Sequence, residues 1–233
     1  MKLLNYNQND FCVAHFQGKS YTCRMNMVEN LMRVPIKLPA NIEIVTVSNN
    51  PSDAMLIKQL SQNQIPFINK AEIGGSWYNT KKIGYILEAL QDVKSEYVLI
   101  LDADDVLLTN SIPEIIVRFI DYGKKILYGA TKNNFPYMLI DKIYNRDFRG
   151  DFRYFNAGTC IGYKDYCIKF YEKAAKILSE NIIYNPANSE QLIIRHVFKD
   201  HTNEIDFDYK CNIFQTLGNT LSKEVGNNKI MIL

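Results

Sequence analysis

The chain has 233 residues, 47% of them hydrophobic, which is enough for one domain with a core of its own. Lys and Arg number 27 against 25 Asp and Glu, for a formal charge of +2, so there is no basic footprint for nucleic acid and no polybasic block for a membrane surface. No stretch is long and apolar enough to span a membrane, residues 1–10 hold no signal core, and Cys12, Cys23, Cys160, Cys167 and Cys211 fall in no metal-ligand spacing, a pattern of core thiols in a soluble protein without a leader or span of its own.

Residues 1–40 are the hardest to place. Residues 11–16 are compatible with a strand and 21–33 with a short helix, before Pro35 and Pro39 interrupt regular structure. His15, alone among apolar neighbours, reads as a core or edge histidine with no assigned chemistry. From residue 42 the pattern sharpens. Residues 42–48 are rich in β-branched side chains and predict a strand. Turn chemistry at 49–53 leads into a helix over 54–62. Residues 65–68 predict a short strand, placed at an edge by Pro66. The glycines at 74–79 mark a flexible loop, and 81–90 has the apolar spacing of a helix.

The run from Tyr97 to Leu101 predicts a buried parallel strand. It is followed by Asp102-Ala103-Asp104-Asp105, three carboxylates within four positions. This β-α-β-loop-α-β order predicts a parallel sheet with right-handed crossovers. Such sheets place ligands in the crevice outside the carboxyl ends of their strands. Clustered carboxylates repel unless a cation lies among them, and hard oxygen donors suit Mg²⁺ or Mn²⁺. A solvated turn or a helix N-cap before Ser111 is the plainer alternative.

Beyond the acids, Ser111-Ile112-Pro113-Glu114 has the form of a capping box opening a helix that ends near Gly123. Residues 125–130 predict a strand, and 133–156 a long polar and aromatic loop. Residues 157–163 predict a strand whose glycines permit close backbone approach. Helices are expected over 164–179 and 190–198, the second capped by Asn188 or Ser189, with 205–214 irregular and 229–233 a final strand. There are no internal repeats, so one domain over residues 1–233 is expected.

An acidic cluster after a mid-domain strand suits transfer from a nucleoside diphosphate sugar, whose leaving diphosphate needs a divalent counter-charge. Four blocks carry a specific likeness: Val45-Thr46-Val47-Ser48; Leu101-Asp102-Ala103-Asp104-Asp105-Val106; Arg153-Tyr154-Phe155-Asn156-Ala157-Gly158 with Ile161-Gly162-Tyr163; and Asp208 through Leu217. In order and spacing they resemble the glycosyltransferase domain of the procollagen lysyl hydroxylases and related collagen glycosyltransferases. The likeness runs from Ile44 to Leu217, with Ser189-Glu190-Gln191 where that family has Asp-Asp-Gln. It implies a GT-A fold, a Rossmann-like α/β domain whose mixed, mainly parallel sheet is flanked by helices.

The resemblance also implies a site. Its Asp-x-x-Asp spacing lands the metal ligands on Asp102 and Asp105, whereas a generic Asp-x-Asp reading takes Asp102 and Asp104. Asp104 stands where the family has an aromatic beside the uracil. Thr46 and Ser48 fall at the uridine, and Trp77 and Lys82 near the nucleotide. Lys82 would also pass for an exposed helix lysine, and Trp77 for a packing anchor. The implied cofactor is Mn²⁺ or Mg²⁺ and the donor a UDP-sugar. Glucose or galactose would pass to hydroxylysine or galactosyl-hydroxylysine of a collagen-like protein. Glu190 is the candidate wall residue on the sugar or acceptor side, and Glu190 or Asp208 the candidate base if transfer inverts. Glu190 equally complements a helix dipole. The family's acid and Trp-Pro after the strand at 126–130 are replaced by Ala130 and Phe135-Pro136.

In that family the final strand precedes a His-Gly-Asn-Gly segment whose histidine completes the metal site. Residues 229–233 fit the strand, the sequence ends before the histidine, and His196 and His201 do not match it. The expectation is a fragment or shortened relative that holds its ion weakly without nucleotide. Two other readings stand beside this one. A haloacid-dehalogenase-like phosphatase would use Asp102 and Asp104, although that motif belongs on a first strand and its downstream metal acids are missing. A catalytically silent nucleotide-sugar-binding relative would keep the acids without turnover.

Overall fold

The computed structural model describes residues 11–16, 28–109, 111–136, 151–180, 185 and 188–217. A six-stranded sheet forms its centre. In chain order its strands are β2 (Ile42–Val47), β3 (Phe67–Asn69), β4 (Tyr97–Asp102), β6 (Ile126–Thr131), β7 (Tyr154–Tyr163) and β8 (Ile205–Phe207). They lie in the order β3-β2-β4-β7-β6-β8. β2 is parallel to β3 and β4, and β6 to β8, while β7 runs antiparallel to both β4 and β6. Every strand but β7 therefore points the same way, which is the mixed, mainly parallel sheet expected. β3, just after Pro66, is indeed an edge strand.

Side-chain parity distributes the core over both faces, since alternate residues of a strand point to opposite sides. Val45 and Val47 of β2, Val98 and Ile100 of β4, and Ile126 and Tyr128 of β6 face one way. They meet the apolar stripes of α2 (Lys81–Asp92), α4 (Lys164–Ser179) and α5 (Glu190–Phe198). Ile42, Ile44, Leu99, Leu101, Leu127 and Ile161 face the other way. There they pack on α1 (Met55–Gln62), α3 (Ile115–Asp121) and a second, three-stranded sheet. That sheet has the order β5-β1-β9, from β1 (Val13–His15), β5 (Val106–Leu108) and β9 (Phe214–Thr216).

Several expectations need correction. Residues 205–214, read as irregular, contribute β8 and the start of β9, because their pairing partners are β6 and β1, more than 70 residues away. Beyond the acids, Val106–Leu108 forms a further strand that sequence reasoning did not assign, β5 against β1. β7 begins at Tyr154, inside the stretch read as loop. Ser111 makes no side-chain cap bond, because Arg118 engages Glu114 at 2.6 Å and the first turn is a 3-10 helix over Ile112–Glu114. Ser189 likewise makes no side-chain cap, and its backbone is held by Asn185 instead. Residues 28–32 are helical. The rest of the helix expected over 21–33, the middle of the loop at 137–150 and the final strand at 229–233 lie outside the described residues.

Candidate metal centre

β4 is apolar on both faces through Leu101 and releases Asp102 at its carboxyl end, in register with Val47 of β2. Parity sends Asp102 to the side of Val98 and Ile100, which α2 covers. Lys82, in the first turn of α2, meets it there with Nζ 2.7 Å from Oδ1. The same Nζ is 3.4 Å from Oε1 of Glu190, in the first turn of α5. One ammonium thus lies between two carboxylates. Burial opposes its charge, but Asp102 and Glu190 outweigh that and raise the Lys82 pKa. Burial raises the Glu190 carboxyl against the pull of Lys82.

After Asp102 the chain turns towards β5. The Ala103 carbonyl accepts from Leu56 N–H at 3.0 Å, and the Asp105 carbonyl from Phe16 N–H at 2.7 Å, tying this turn to α1 and to the end of β1. The antiparallel register sets Val106 opposite His15. The His15 ring therefore reaches the carboxylate one residue earlier, with Nε2 3.4 Å from Asp105 Oδ1. One donor atom each from His15, Asp102 and Asp105 lies within 4.8 Å of the others. Burial disfavours an imidazolium, but the Asp105 carboxylate, backed by Asp102, raises the His15 pKa above its ordinary value.

These residues fit a divalent ion on two structural grounds. Two carboxylate oxygens and an imidazole nitrogen are donors that Mn²⁺ and its neighbours in the series accept. His15 is 2% exposed, and its Nδ1 is buried without a hydrogen-bond partner among the described residues. An orphaned buried polar atom costs about 1–3 kcal/mol and calls for a functional reason. The backbone leaves the needed room at Gly158. Pairing of β7 with β6 jumps from Cys160 opposite Tyr128 to Asn156 opposite Gly129. The bulge so formed brings Gly158 so close that a Cβ there would lie 2.5 Å from His15 Cε1 and 2.8 Å from Asp102 Oδ2.

His15 is the residue that sequence reasoning missed. An apolar strand ending in one histidine looks like core, and the carboxylates it joins are 87 or more positions away. A signal was present nonetheless: the chain has 3 histidines, and two lie on or just after one helix. The other expected residues divide. Asp102, Asp105, Lys82 and Glu190 come together. Asp104 stands exposed in the turn, its carboxyl pushed up by desolvation and by Asp105 and Asp102. Ser48 follows β2, whose last residue pairs with Asp102, and its Oγ accepts from Asn50 N–H at 3.2 Å. Trp77 is exposed on the loop before α2, its indole N–H donating to Asn79 at 3.2 Å.

Two residues are placed otherwise than expected. Thr46 is fully buried, and its hydroxyl donates to the Leu101 carbonyl at 2.9 Å, so it clamps β2 to β4 rather than facing a nucleotide. Asp208 is also fully buried. Its carboxylate accepts from the Tyr122 hydroxyl and from the backbone N–H groups of Asn212 at 3.0 Å, Ile213 at 2.6 Å and Phe214 at 2.7 Å. It anchors the start of β9 and is not free to act as a base.

A family model, described as the PLOD GT domain, matches residues 58–229. The chain belongs to the PLOD GT domain family. Among curated proteins, the procollagen-lysine,2-oxoglutarate 5-dioxygenase of Drosophila melanogaster is 26% identical over an alignment of 146 residues that covers 58% of this chain and 19% of that protein. This chain thus spans about a fifth of the length of that relative. Among solved structures, glucosyl-3-phosphoglycerate synthase from Mycobacterium tuberculosis, in complex with Mn²⁺, UDP and glucosyl-3-phosphoglycerate, matches with a TM-score of 0.40 and 10% identity over 91% of this chain and 82% of that one. Membership makes this a nucleotide-sugar glycosyltransferase domain and removes the phosphatase reading. The matched span holds Lys82, Asp102, Asp105 and Glu190, whereas β1 and His15 lie outside it. Among the described residues, no helix of this PLOD GT domain is long and apolar enough to cross a membrane.

Proposed function

We propose that this PLOD GT domain transfers a hexose, glucose or galactose, from a UDP-sugar to a hydroxyl group, in a reaction that requires a divalent ion. The acceptor is hydroxylysine or galactosyl-hydroxylysine of a collagen-like protein, in keeping with the procollagen-lysine relative. The observation that carries this reading is the meeting of His15, Asp102 and Asp105 at the carboxyl end of β4. An ion held there, Mn²⁺ by preference, would neutralise the charge that develops on the departing diphosphate.

The remaining roles follow from the chain's own groups. Lys82 offers a second positive charge to the diphosphate, as a mobile point charge with rotatable donors. Ser48, Trp77 and Asp104 border the place for the nucleoside. Glu190, across Lys82 from Asp102, lies on the acceptor side, and its raised pKa makes it the stronger base for an acceptor hydroxyl if transfer inverts. Phe135 adds an exposed ring nearby. Gln191 ties it there, accepting from Ala157 N–H at 2.9 Å while its own amide donates to the Phe135 carbonyl.

The test is UDP binding by calorimetry with Mn²⁺ or with chelator, on the wild type and on Asp102→Ala, followed by donor screening for UDP release. Mn²⁺-dependent binding lost in Asp102→Ala, with release from UDP-glucose or UDP-galactose, is expected. Unchanged affinity in chelator, or preference for a donor without UDP, overturns the reading. Binding without release from any UDP-sugar would mark a silent relative.

A further inference from the structure

The strand that brings His15 to the carboxylates is short and held from both sides. β1 is the middle strand of its sheet, between β5 and β9. The N–H groups of Cys12 and Val13 donate to the Ile213 carbonyl at 3.0 and 2.9 Å, and Leu217 N–H donates to the His15 carbonyl at 2.7 Å. On the other side Thr109 N–H donates to the Cys12 carbonyl at 2.9 Å, and Phe16 N–H to that of Asp105 at 2.7 Å. The last of these joins the strand directly to a candidate ligand residue. Phe11, Ala14 and Phe16 bury themselves in a small cluster with Leu31, Leu107 and Leu217.

We propose that His15 is a ligand of the divalent ion, so that the amino-terminal strand acts as an ion-dependent latch: binding the ion and seating β1 between β5 and β9 are one coupled equilibrium. This rests on the metal-dependent reading above and adds to it a dependence on β1, the element that the family match does not reach.

Geometry supports the ligand role. Neighbouring donors on an octahedral ion with bonds of about 2.1 Å lie about 3 Å apart, and opposite donors about 4.2 Å apart. The His15–Asp105 separation of 3.4 Å and the 4.8 Å limit on the whole group need only small closure around an ion. The distribution of unsatisfied atoms supports it independently. Three buried side-chain atoms have no hydrogen-bond partner among the described residues: His15 Nδ1, Thr159 Oγ1 and Thr216 Oγ1. Thr216 is the register partner of His15 on β9, and Thr159 adjoins Gly158. A ligating histidine needs a partner for its other ring nitrogen to fix the tautomer. Thr216, opposite His15 on the adjoining strand, is the nearest candidate in register for that partner.

The latch has a measurable consequence. If unseating β1 removes a ligand, an ion at 100 times its dissociation constant makes unseating rarer by up to about 100-fold, the limit reached when the unseated chain does not bind it. The experiment is backbone hydrogen exchange on the full chain with Mn²⁺ as the probe, alongside Mn²⁺ titration by electron paramagnetic resonance. In the wild type, Mn²⁺ is expected to slow exchange at Cys12, Val13 and Phe16 by up to about 100-fold. His15→Gln is expected to weaken Mn²⁺ binding at least ~10- to 100-fold, the loss seen even for outer partners of a ligand, and to cancel the slowing. Asp102→Ala should lose binding as well.

Binding that His15→Gln leaves within about twofold, or binding that does not slow exchange over residues 11–16, overturns the latch while metal dependence stands. Absence of Mn²⁺ binding by the wild type, with or without UDP, overturns both. Should His15→Gln fail to fold, the wild-type exchange comparison decides, together with ¹⁴N hyperfine coupling on bound Mn²⁺. That coupling is present if an imidazole ligates and absent if the proposal is wrong.

Discussion

Replacing Gly158 with alanine is the smallest change that reaches the candidate metal centre without altering a candidate ligand. The added Cβ would lie 2.5 Å from His15 Cε1, 2.9 Å from His15 Nε2 and 2.8 Å from Asp102 Oδ2. None of these atoms can easily move away. The ring is 2% exposed on a strand bonded from both sides, and Asp102 is paired with Lys82 at 2.7 Å. Overpacking of this kind costs about 1–3 kcal/mol. For a chain of this size each kcal/mol lowers the melting temperature by about 2–4 °C. The strain falls between two candidate ligands, so Mn²⁺ affinity should drop at least ~10-fold, which corresponds to about 1.4 kcal/mol. The assay pairs thermal unfolding with Mn²⁺ titration. Gly158→Ala with wild-type stability and wild-type affinity would show that His15 and Asp102 do not close on this glycine, and the geometry argued above would fall.

Two further outcomes follow from the same packing. Asp208→Asn removes a charge that three backbone N–H groups and the Tyr122 hydroxyl address, and hydrogen bonds to charged groups are worth about 1.5–3 kcal/mol each, so urea unfolding should show a loss of at least ~2 kcal/mol. Because the anchored β9 holds β1, Mn²⁺ affinity should fall with it, and an unchanged urea midpoint would show that the carboxylate is not the anchor. Burial raises the Glu190 pKa above its ordinary 4.5, so the native state holds this proton more tightly than the unfolded chain does. Its contribution to stability is complete below pH 4.5 and is lost as pH rises through the raised native value. Glu190→Gln should flatten that part of the pH profile in chelator, and a profile identical to the wild type would refute it.

The fold was legible wherever residues that pair or pack are also close in sequence. β2, α1, β3, α2 and β4 follow one another as β-α-β units with parallel strands, and local periodicity suffices for such units. Helices α4 and α5 were read to the residue for the same reason. What escaped was three-residue pairing across long separations. β5, β8 and β9 each carry 3 residues, too few for a period to show, and their strand character comes from partners elsewhere. The capping box at Ser111 failed for a related reason. Its sequence form is local, but Arg118 competes for Glu114 and also donates to the Asn212 carbonyl at 2.7 Å, a tie to a segment 94 positions away.

The site divides along the same line. Asp102 and Asp105 declare themselves because carboxylates after an apolar strand are costly to hide. Lys82 and Glu190 sit in first helical turns aimed at the strand ends, where a parallel sheet gathers its ligands. Asp208 looked equally chemical, yet an acid followed within six residues by backbone N–H groups in need of acceptors can satisfy itself locally, and only the fold shows that it does. Its real contribution is indirect. It fixes the N–H groups of Ile213 and Phe214, Ile213 in turn accepts from Cys12 and Val13, and the strand so held ends in His15. The candidate third ligand is therefore positioned through two strand pairings and a buried carboxylate, none of which leaves a motif at His15 itself. A centre assembled in this way has its strongest sequence signal in the two acids and its weakest in the residue that joins the two sheets.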